Sequence, residues 1–127
     1  MPGPLTGVRV LDVTLALAGP FCGMLLADLG ADVIKIESPD IDIRTSGGLA
    51  VLKGENSHFL VVNRNKRGVS IDLKEERGKE AFYRLVKTAD ILVQNYRPGV
   101  MKRLGCDYET LSKINPCLLY TSDAADE

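Results

Sequence analysis

The chain has 127 residues, of which 45% are apolar and 26% are charged, and its formal net charge is −1. This length suits one ordinary domain with its own apolar core, and the balanced charge excludes the basic excess that is typical of a nucleic-acid-binding surface. No apolar run reaches the roughly 18 residues that a membrane span needs, and the first residues lack the pattern of a signal peptide.

The sulfur-containing and titratable residues give no sign of a metal centre. The chain has an odd number of cysteines, and their spacing is not that of metal ligands, which fits reduced thiols. The three cysteines are Cys22, Cys106 and Cys117. The single histidine, His58, has no nucleophilic partner at the spacing of a catalytic triad, so we interpret it as structural or solvent-facing. We therefore expect a cytoplasmic protein with no metal and no nucleic-acid or membrane partner.

The first part of the chain predicts a βαβ unit. Residues 8–13 form a short β-branched run bounded by Gly7, as in a strand, and Pro20 suits the start of the helix that follows. Gly30 is the residue type that commonly ends a helix, and residues 32–37 return as a second apolar strand. The strands of such a unit are parallel and its crossover is right-handed.

The remaining residues continue this alternation. Residues 38–57 contain four glycine and proline residues among polar ones and predict a long loop. Beyond it, the pattern predicts helices at residues 57–62, 75–87, 98–104 and 108–114, and strands at residues 69–73 and 91–93. This order indicates an α/β fold with a mainly parallel sheet, whose ligands gather at the carboxyl ends of the strands. Those ends are residues 14–19, 37–44, 72–74 and 94–97.

Two segments have the composition of an anion site, and both also have a plain structural interpretation. Residues 16–20 are small and lead into a helix N-terminus, which attracts anions, but a tight turn into a packed helix has the same composition. Asn-Arg-Asn-Lys-Arg at residues 63–67 carries three positive charges, which suit phosphate contact, but a short charge run is also typical of a solvated loop.

Five sequence blocks stand in a recognisable order and spacing: Leu-Asp-Val-Thr at 11–14, Ala-Gly-Pro at 18–20, the segment 26–37, Asn-Arg-Asn-Lys-Arg at 63–67 and Asn-Tyr-Arg-Pro-Gly-Val at 95–100. Together they resemble the opening of class III coenzyme A transferases of the CaiB/BaiF type, the family that includes formyl-CoA and carnitine CoA-transferases. The resemblance covers residues 1–116 and identifies them as the N-terminal part of the family's large domain.

The resemblance implies a partial, Rossmann-like parallel sheet with flanking helices, a truncated form of the family's fold. It implies an enzyme that moves coenzyme A between carboxylic acids through a covalent aspartyl intermediate, a strategy that divides one difficult step into two. It further implies an interlocked homodimer and a coenzyme A thioester as substrate, with no tightly bound cofactor. The nucleophilic aspartate belongs beyond residue 127, so we assign no catalytic residue here and expect this chain to be inactive alone.

The resemblance also implies which residues contact coenzyme A. Ser38 stands where formyl-CoA transferases have an arginine, which argues against a formyl-CoA assignment, and Asp42 and Arg44 match an Asp-x-x-Arg-like pattern that we interpret as an ion pair within the loop. The implied contact residues are Leu17, Ala18, Ser38, Ile71, Asp72, Leu73, Lys74, Asn95, Tyr96, Arg103 and Leu104.

Residues 117–127 depart from the family pattern. Their sequence, from Cys117 to Glu127, resembles the translation of a sequencing adapter, and we interpret this tail as read-through.

Other functions remain open. An α-methylacyl-CoA racemase resembles the same family and uses the same coenzyme. A dinucleotide-binding βαβ domain is a further alternative, because Glu37 ends the second strand where a ribose-binding acid stands, although the first turn lacks G-x-G-x-x-G. A non-catalytic binding module is the third.

Overall fold

The structure of the chain, a computed structural model, describes residues 2–41, 51–52 and 55–122. Asp42 and Arg44, interpreted above as an ion pair, lie outside these residues. The elements in chain order are β1 (Arg9–Asp12), α1 (Ala18–Asp28), β2 (Asp32–Glu37), β3 (Val51–Leu52), β4 (Glu55–Asn56), α2 (Ser57–Val62), β5 (Arg67–Ser70), α3 (Glu76–Val86), β6 (Ile91–Gln94), α4 (Val100–Arg103), α5 (Tyr108–Ile114) and β7 (Leu119–Ser122).

Within the described residues, five strands form one parallel sheet in the order β5-β2-β1-β6-β7. The α/β fold and the βαβ unit predicted from the sequence are confirmed. Strand β1 lies at the centre, and its apolar side chains Val10 and Leu11 are fully buried. A parallel strand that is covered on both faces is mostly apolar, which explains the buried residues Val10, Leu11 and Val13; Asp12 is a buried charged exception.

Helices cover both faces of the sheet. On one face, Leu11 and Leu92 pack with Phe82 of α3 and Leu111 of α5, all of them fully buried. On the other face, Val10, Val33 and Val93 pack with Ala27 of α1. This sandwich buries the strands and leaves their carboxyl ends accessible at one edge of the sheet, where ligands of open α/β sheets bind.

Strand β5 begins two residues earlier than predicted. It covers Arg67–Ser70 and pairs with β2 from Ile34↔Arg67 to Glu37↔Ser70. The prediction was displaced because β5 is an edge strand, where polar and exposed residues are tolerated, whereas the prediction rested on an apolar run. After Ser70 the chain leaves the sheet, and the carboxylate of Asp72 accepts a hydrogen bond from the backbone N–H of Lys74 at 2.9 Å.

Two further details differ from the sequence prediction. The loop predicted at residues 38–57 contains a short antiparallel hairpin, in which β3 pairs with β4. Helix α1 begins at Ala18, so Pro20 occupies its third position, where a backbone N–H would also lack a helical partner. Among the helices of the described segments, none has the length and apolar character that a bilayer crossing requires.

The fourth difference is β7, which lies within the segment that we interpreted as a tail. Leu118 is buried, and the hydroxyl of Tyr120 donates to the carbonyl of Cys106 at 2.9 Å. The read-through origin of residues 117–127 stays a prediction. Sequencing the source gene past the codon for Pro116 tests it: a genomic sequence that encodes the same eleven residues would contradict it.

Gly78 of α3 fixes the distance between this helix and the loop that follows β5. A Cβ atom at position 78 would lie 1.8 Å from the carbonyl oxygen of Asp72. We predict that Gly78→Ala destabilises the protein by about 1–3 kcal/mol through overpacking, although alanine is the better helix former. Denaturant unfolding measures this, with Glu80→Ala on the exposed face of the same helix as control. A Gly78→Ala protein as stable as wild type would contradict the close contact.

Candidate functional site

Two cavities open at the carboxyl ends of the strands. The smaller, which we call the Tyr96 cavity, has a volume of about 300 Å³ and is lined by residues that follow β1, β2, β5 and β6 and by α4. The larger, the Phe59 cavity, has a volume of about 660 Å³ and lies between the turn after β1 and helix α2. Ile41 lines both cavities, whereas at the end of β1 Val13 lines the first and Thr14 the second.

The Tyr96 cavity brings together eight of the eleven residues implied as coenzyme A contacts. They come from four separate parts of the sequence, and the topology of the sheet places them at one edge. These eight residues are Ser38, Ile71, Asp72, Leu73, Lys74, Tyr96, Arg103 and Leu104.

This cavity has an apolar floor and a charged mouth. Val13, Ile36 and Ile71 are buried, whereas Lys74 and Arg103 are exposed. The ammonium group of Lys74 pairs with Asp40 at 2.8 Å, and this hydrogen-bonded contact raises the pKa of Lys74. Because both partners are exposed, the pair contributes little to stability and can exchange partners. Burial of Tyr96 raises the pKa of its hydroxyl above the ordinary value.

The other three implied contact residues lie elsewhere. Leu17 lines the Phe59 cavity and is 54% exposed. Ala18 is the exposed first residue of α1 and lines neither cavity. Asn95 also lines neither, because its side-chain oxygen accepts from the backbone N–H of Leu15 at 2.8 Å and its amide donates to the Leu15 carbonyl at 2.6 Å.

A buried cluster of three charged side chains supports the turn after β1. The carboxylate of Asp12 lies between two ammonium groups, at 3.1 Å from that of Lys35 and 2.7 Å from that of Lys66. The three side chains are 0%, 3% and 2% exposed, respectively. Asp12 also accepts hydrogen bonds from the backbone N–H and the hydroxyl of Thr14.

Backbone and side-chain oxygens complete the coordination of the two ammonium groups. Lys35 donates to the carbonyl of Thr14, and Lys66 donates to the carbonyl of Pro20 at 2.8 Å and to the side-chain oxygen of Asn63 at 3.0 Å. The cluster therefore connects β1, β2, the first turn of α1 and the segment after α2.

The cations of residues 63–67 are paired within the chain. Lys66 belongs to the buried cluster, whereas Arg64 pairs with Asp28 at 2.6 Å and Arg67 with Asp32 at 2.7 Å. A fully solvated loop is therefore wrong for Lys66, and the ammonium group of Lys66 is too buried to meet a phosphate at the surface. These contacts attach the segment between α2 and β5 to α1, β1 and β2.

A family model described as CoA-transferase family III matches residues 5–124. The chain belongs to this family. It is 46% identical over 124 residues to a succinyl-CoA:mesaconate CoA-transferase of Haloarcula hispanica, covering 94% of this chain and 31% of that relative. It is 44% identical over 123 residues to a formyl-CoA:oxalate CoA-transferase of Rhodopseudomonas palustris, covering 96% of this chain and 29% of that relative.

Solved structures give the same result. The crystal structure of a CAIB/BAIF family protein from Brucella suis matches with a TM-score of 0.88 and 40% identity, covering 96% of this chain and 33% of that one. The resemblance that the sequence blocks indicated is confirmed. The chain spans about a third of the length of these CoA-transferase family III relatives.

The sequence analysis did not predict the buried cluster of Asp12, Lys35 and Lys66, although the sequence contained a signal for two of its members. Asp12 and Lys35 each interrupt a run of buried apolar residues, at 10–13 and 33–36, and they are direct partners in the register of β1 and β2. A lone charge in a buried strand needs a partner, and two opposite charges in neighbouring strands provide one. Lys66 carries no such signal, because it lies in a segment of many polar residues.

The pKa values in the cluster follow from burial and pairing. Burial raises the pKa of Asp12, but the charges of Lys35 and Lys66 and their hydrogen bonds outweigh this effect, so that the pKa lies below the ordinary 3.8. Burial lowers the pKa of both lysines, an effect that the attraction of Asp12 opposes. The ionised state of Asp12 is therefore the one that the fold stabilises.

We predict that Asp12→Asn destabilises this family III chain by about 3–5 kcal/mol, because it leaves two buried ammonium groups without a counter-charge. Urea unfolding at neutral pH measures the loss. Asp28→Asn is the control, since Asp28 belongs to an exposed pair with Arg64 and its loss should change stability little.

The stability that the ionised carboxylate of Asp12 contributes to the fold depends on pH. Because folding lowers the pKa of Asp12, the contribution is complete above pH 3.8 and is lost as the pH falls through the lower pKa of the folded state. The stability difference between wild type and Asp12→Asn should therefore shrink below that pH. A difference that grows on acidification would contradict the ionised carboxylate.

Proposed function

We propose that this chain forms the coenzyme A-binding part of a CoA-transferase that moves coenzyme A between carboxylic acids. The observation that carries the proposal is the Tyr96 cavity, in which eight residues implied by the family resemblance line one space of about 300 Å³. The sequence blocks that imply these residues are far apart along the chain. Their convergence on one cavity supports a shared ligand.

The chemistry of the cavity suits coenzyme A. An apolar floor suits an adenine ring and a pantetheine chain, and a charged mouth suits phosphate groups. The guanidinium of Arg103 is suited to bidentate phosphate contact, whereas Lys74 supplies a point charge that is shared with Asp40. Ser38 supplies a hydroxyl in place of a charge, so the phosphate contacts of this protein rely on Lys74 and Arg103.

We propose that the substrate is a coenzyme A thioester and that no cofactor is tightly bound. The Tyr96 and Phe59 cavities share Ile41, which supports a ligand that continues from one into the other. The nucleophilic aspartate that the family resemblance implies comes from the complete protein, outside residues 1–127. The covalent aspartyl intermediate divides the transfer into two steps, and this chain contributes the binding of the coenzyme to both.

We further propose that the complete protein is an interlocked homodimer of the cytoplasm. The apolar side chains Leu17, Phe21, Leu25 and Leu29 are spaced four residues apart along α1 and the residues that flank it, and they are 54%, 45%, 45% and 46% exposed. A continuous apolar stripe of this kind is typical of a surface that is covered in an assembly. Cys106 is a buried thiol, which supports a reducing compartment.

We predict that Arg103→Ala weakens coenzyme A binding by about ten- to a hundredfold, because a lost charged hydrogen bond costs about 1.5–3 kcal/mol. Calorimetric titration of coenzyme A into the purified protein measures the dissociation constant. Lys102→Ala is the matched control: Lys102 is an exposed cation of the same helix and does not line the Tyr96 cavity.

The proposal also distinguishes between coenzymes. Wild-type protein should bind coenzyme A and should not bind NAD. Equal affinities of wild type and Arg103→Ala for coenzyme A would remove Arg103 from the site. Tight binding of NAD by the wild type would favour the dinucleotide-binding alternative that Glu37 left open.

A further inference from the structure

Three consecutive carbonyl groups of the turn after β1 are each held by a side chain from a different element. Lys35 of β2 donates to the carbonyl of Thr14, the amide of Asn95 after β6 donates to that of Leu15, and Nε2 of His58 on α2 lies 3.2 Å from that of Ala16. The next carbonyl, that of Leu17, accepts the N–H of Phe21 in α1 at 2.8 Å. Each carbonyl of the turn therefore has a separate support.

The turn needs this support because its backbone is strained. Ala16 has a φ angle of 60°, in the left-handed region that side chains other than glycine rarely adopt. A residue holds such a conformation only when its surroundings fix it on several sides. The three side chains supply that fixation, and without them the turn would relax toward an ordinary conformation.

Both polar atoms of the Asn95 side chain are hydrogen-bonded to the turn and are not directed at a ligand. Its oxygen accepts from the N–H of Leu15 at 2.8 Å and its amide donates to the carbonyl of the same residue, as a neighbouring strand would do. Asn95 lines neither the Tyr96 cavity nor the Phe59 cavity. The hydrogen bonds with Leu15 therefore compete with the direct contact to coenzyme A that the family resemblance implied for this side chain.

We propose that Asn95, together with Lys35 and His58, is a positioning residue that holds the turn at residues 14–17 in its binding shape. The inference rests on the proposed function, since the bound ligand is coenzyme A. Through the turn, Asn95 acts on Leu17, which lines the Phe59 cavity. The side chain of Asn95 itself makes no contact with the coenzyme.

The first experiment compares Asn95→Ala with Asn115→Ala in the ligand-free protein. Asn115 is a matched control, because its amide also bridges backbone groups, the carbonyls of Val86 and Ala89, and it lies away from both cavities. Amide hydrogen exchange should accelerate at Phe21 by about tenfold in Asn95→Ala, and in Asn115→Ala only as far as its overall loss of stability requires. Equal exchange at Phe21 in both variants would overturn the positioning role.

The second experiment is a double-mutant cycle on coenzyme A affinity between Asn95→Ala and Leu17→Ala. If Asn95 acts through the turn, each single variant weakens binding by about five- to tenfold and the double variant by about the same factor. If Asn95 contacts the ligand independently, the two factors multiply to about twenty-five- to a hundredfold, which overturns the inference. Unchanged affinity in Asn95→Ala also overturns it.

His58→Phe repeats the cycle at an exposed residue, so that the outcome does not depend on the folding of Asn95→Ala. This substitution removes the contact with the Ala16 carbonyl and should couple to Leu17→Ala in the same way. Additive effects on affinity would overturn the role of His58 in holding the turn. Failure of the proposed function is recognised separately: wild type would then not bind coenzyme A, while exchange at Phe21 would still report whether Asn95 holds the turn.

Discussion

The arrangement of the sheet at the carboxyl ends of its strands depends on one interaction. The carboxylate of Asp12 is buried between the ammonium groups of Lys35 and Lys66. It joins neighbouring strands in their correct register, because Asp12 and Lys35 are direct partners in the pairing of β1 with β2. It also attaches a segment 54 residues further along the chain. A register shift of one residue would separate Lys35 from Asp12 and leave its ammonium group buried without a counter-charge, so the cluster selects one register as well as stabilising it.

The cluster holds two positive charges and one negative charge, and the surrounding oxygens make this imbalance tolerable. Carbonyl groups of Thr14 and Pro20 and the side chain of Asn63 accept hydrogen bonds from the ammonium groups. The same bonds fix the turn after β1 and the start of α1, so the cluster that joins the strands also supports this turn. Gly23 leaves room for the Asp12 carboxylate, since a Cβ atom at position 23 would lie 2.6 Å from one of its oxygens. The carbonyl of Thr14, two residues before the strained Ala16, is thereby bound to the buried ammonium group of Lys35.

The sequence was most informative where a regular pattern met a buried surface. The apolar runs at β1 and β2 and the amphipathic helix α3 were predictable because parallel strands and packed helices impose strict periodicity. Strand β5 was displaced because an edge strand has no such requirement. Strand β7 was missed because residues 117–127 were interpreted as read-through and left out of the predicted sheet. The strand pattern predicted the place of the Tyr96 cavity at the carboxyl ends of the strands, whereas its residues Arg103 and Leu104 were predictable only through the family resemblance. The partners of Lys66 and Asn95 are tertiary contacts across 54 and 80 residues that no local pattern encodes.

If the edge of the sheet that the Asp12 cluster shapes binds coenzyme A, the backbone amides along that edge must sense the ligand. Nuclear magnetic resonance of the isotopically labelled protein, titrated with coenzyme A, measures this because every backbone amide reports on its own surroundings. We expect the largest chemical-shift changes at residues 71–74, at Tyr96 and Arg103 and in the turn at residues 14–17, with β7 unaffected. Saturable binding with shift changes confined to other surfaces, or no binding at all, would contradict a coenzyme A site at this edge.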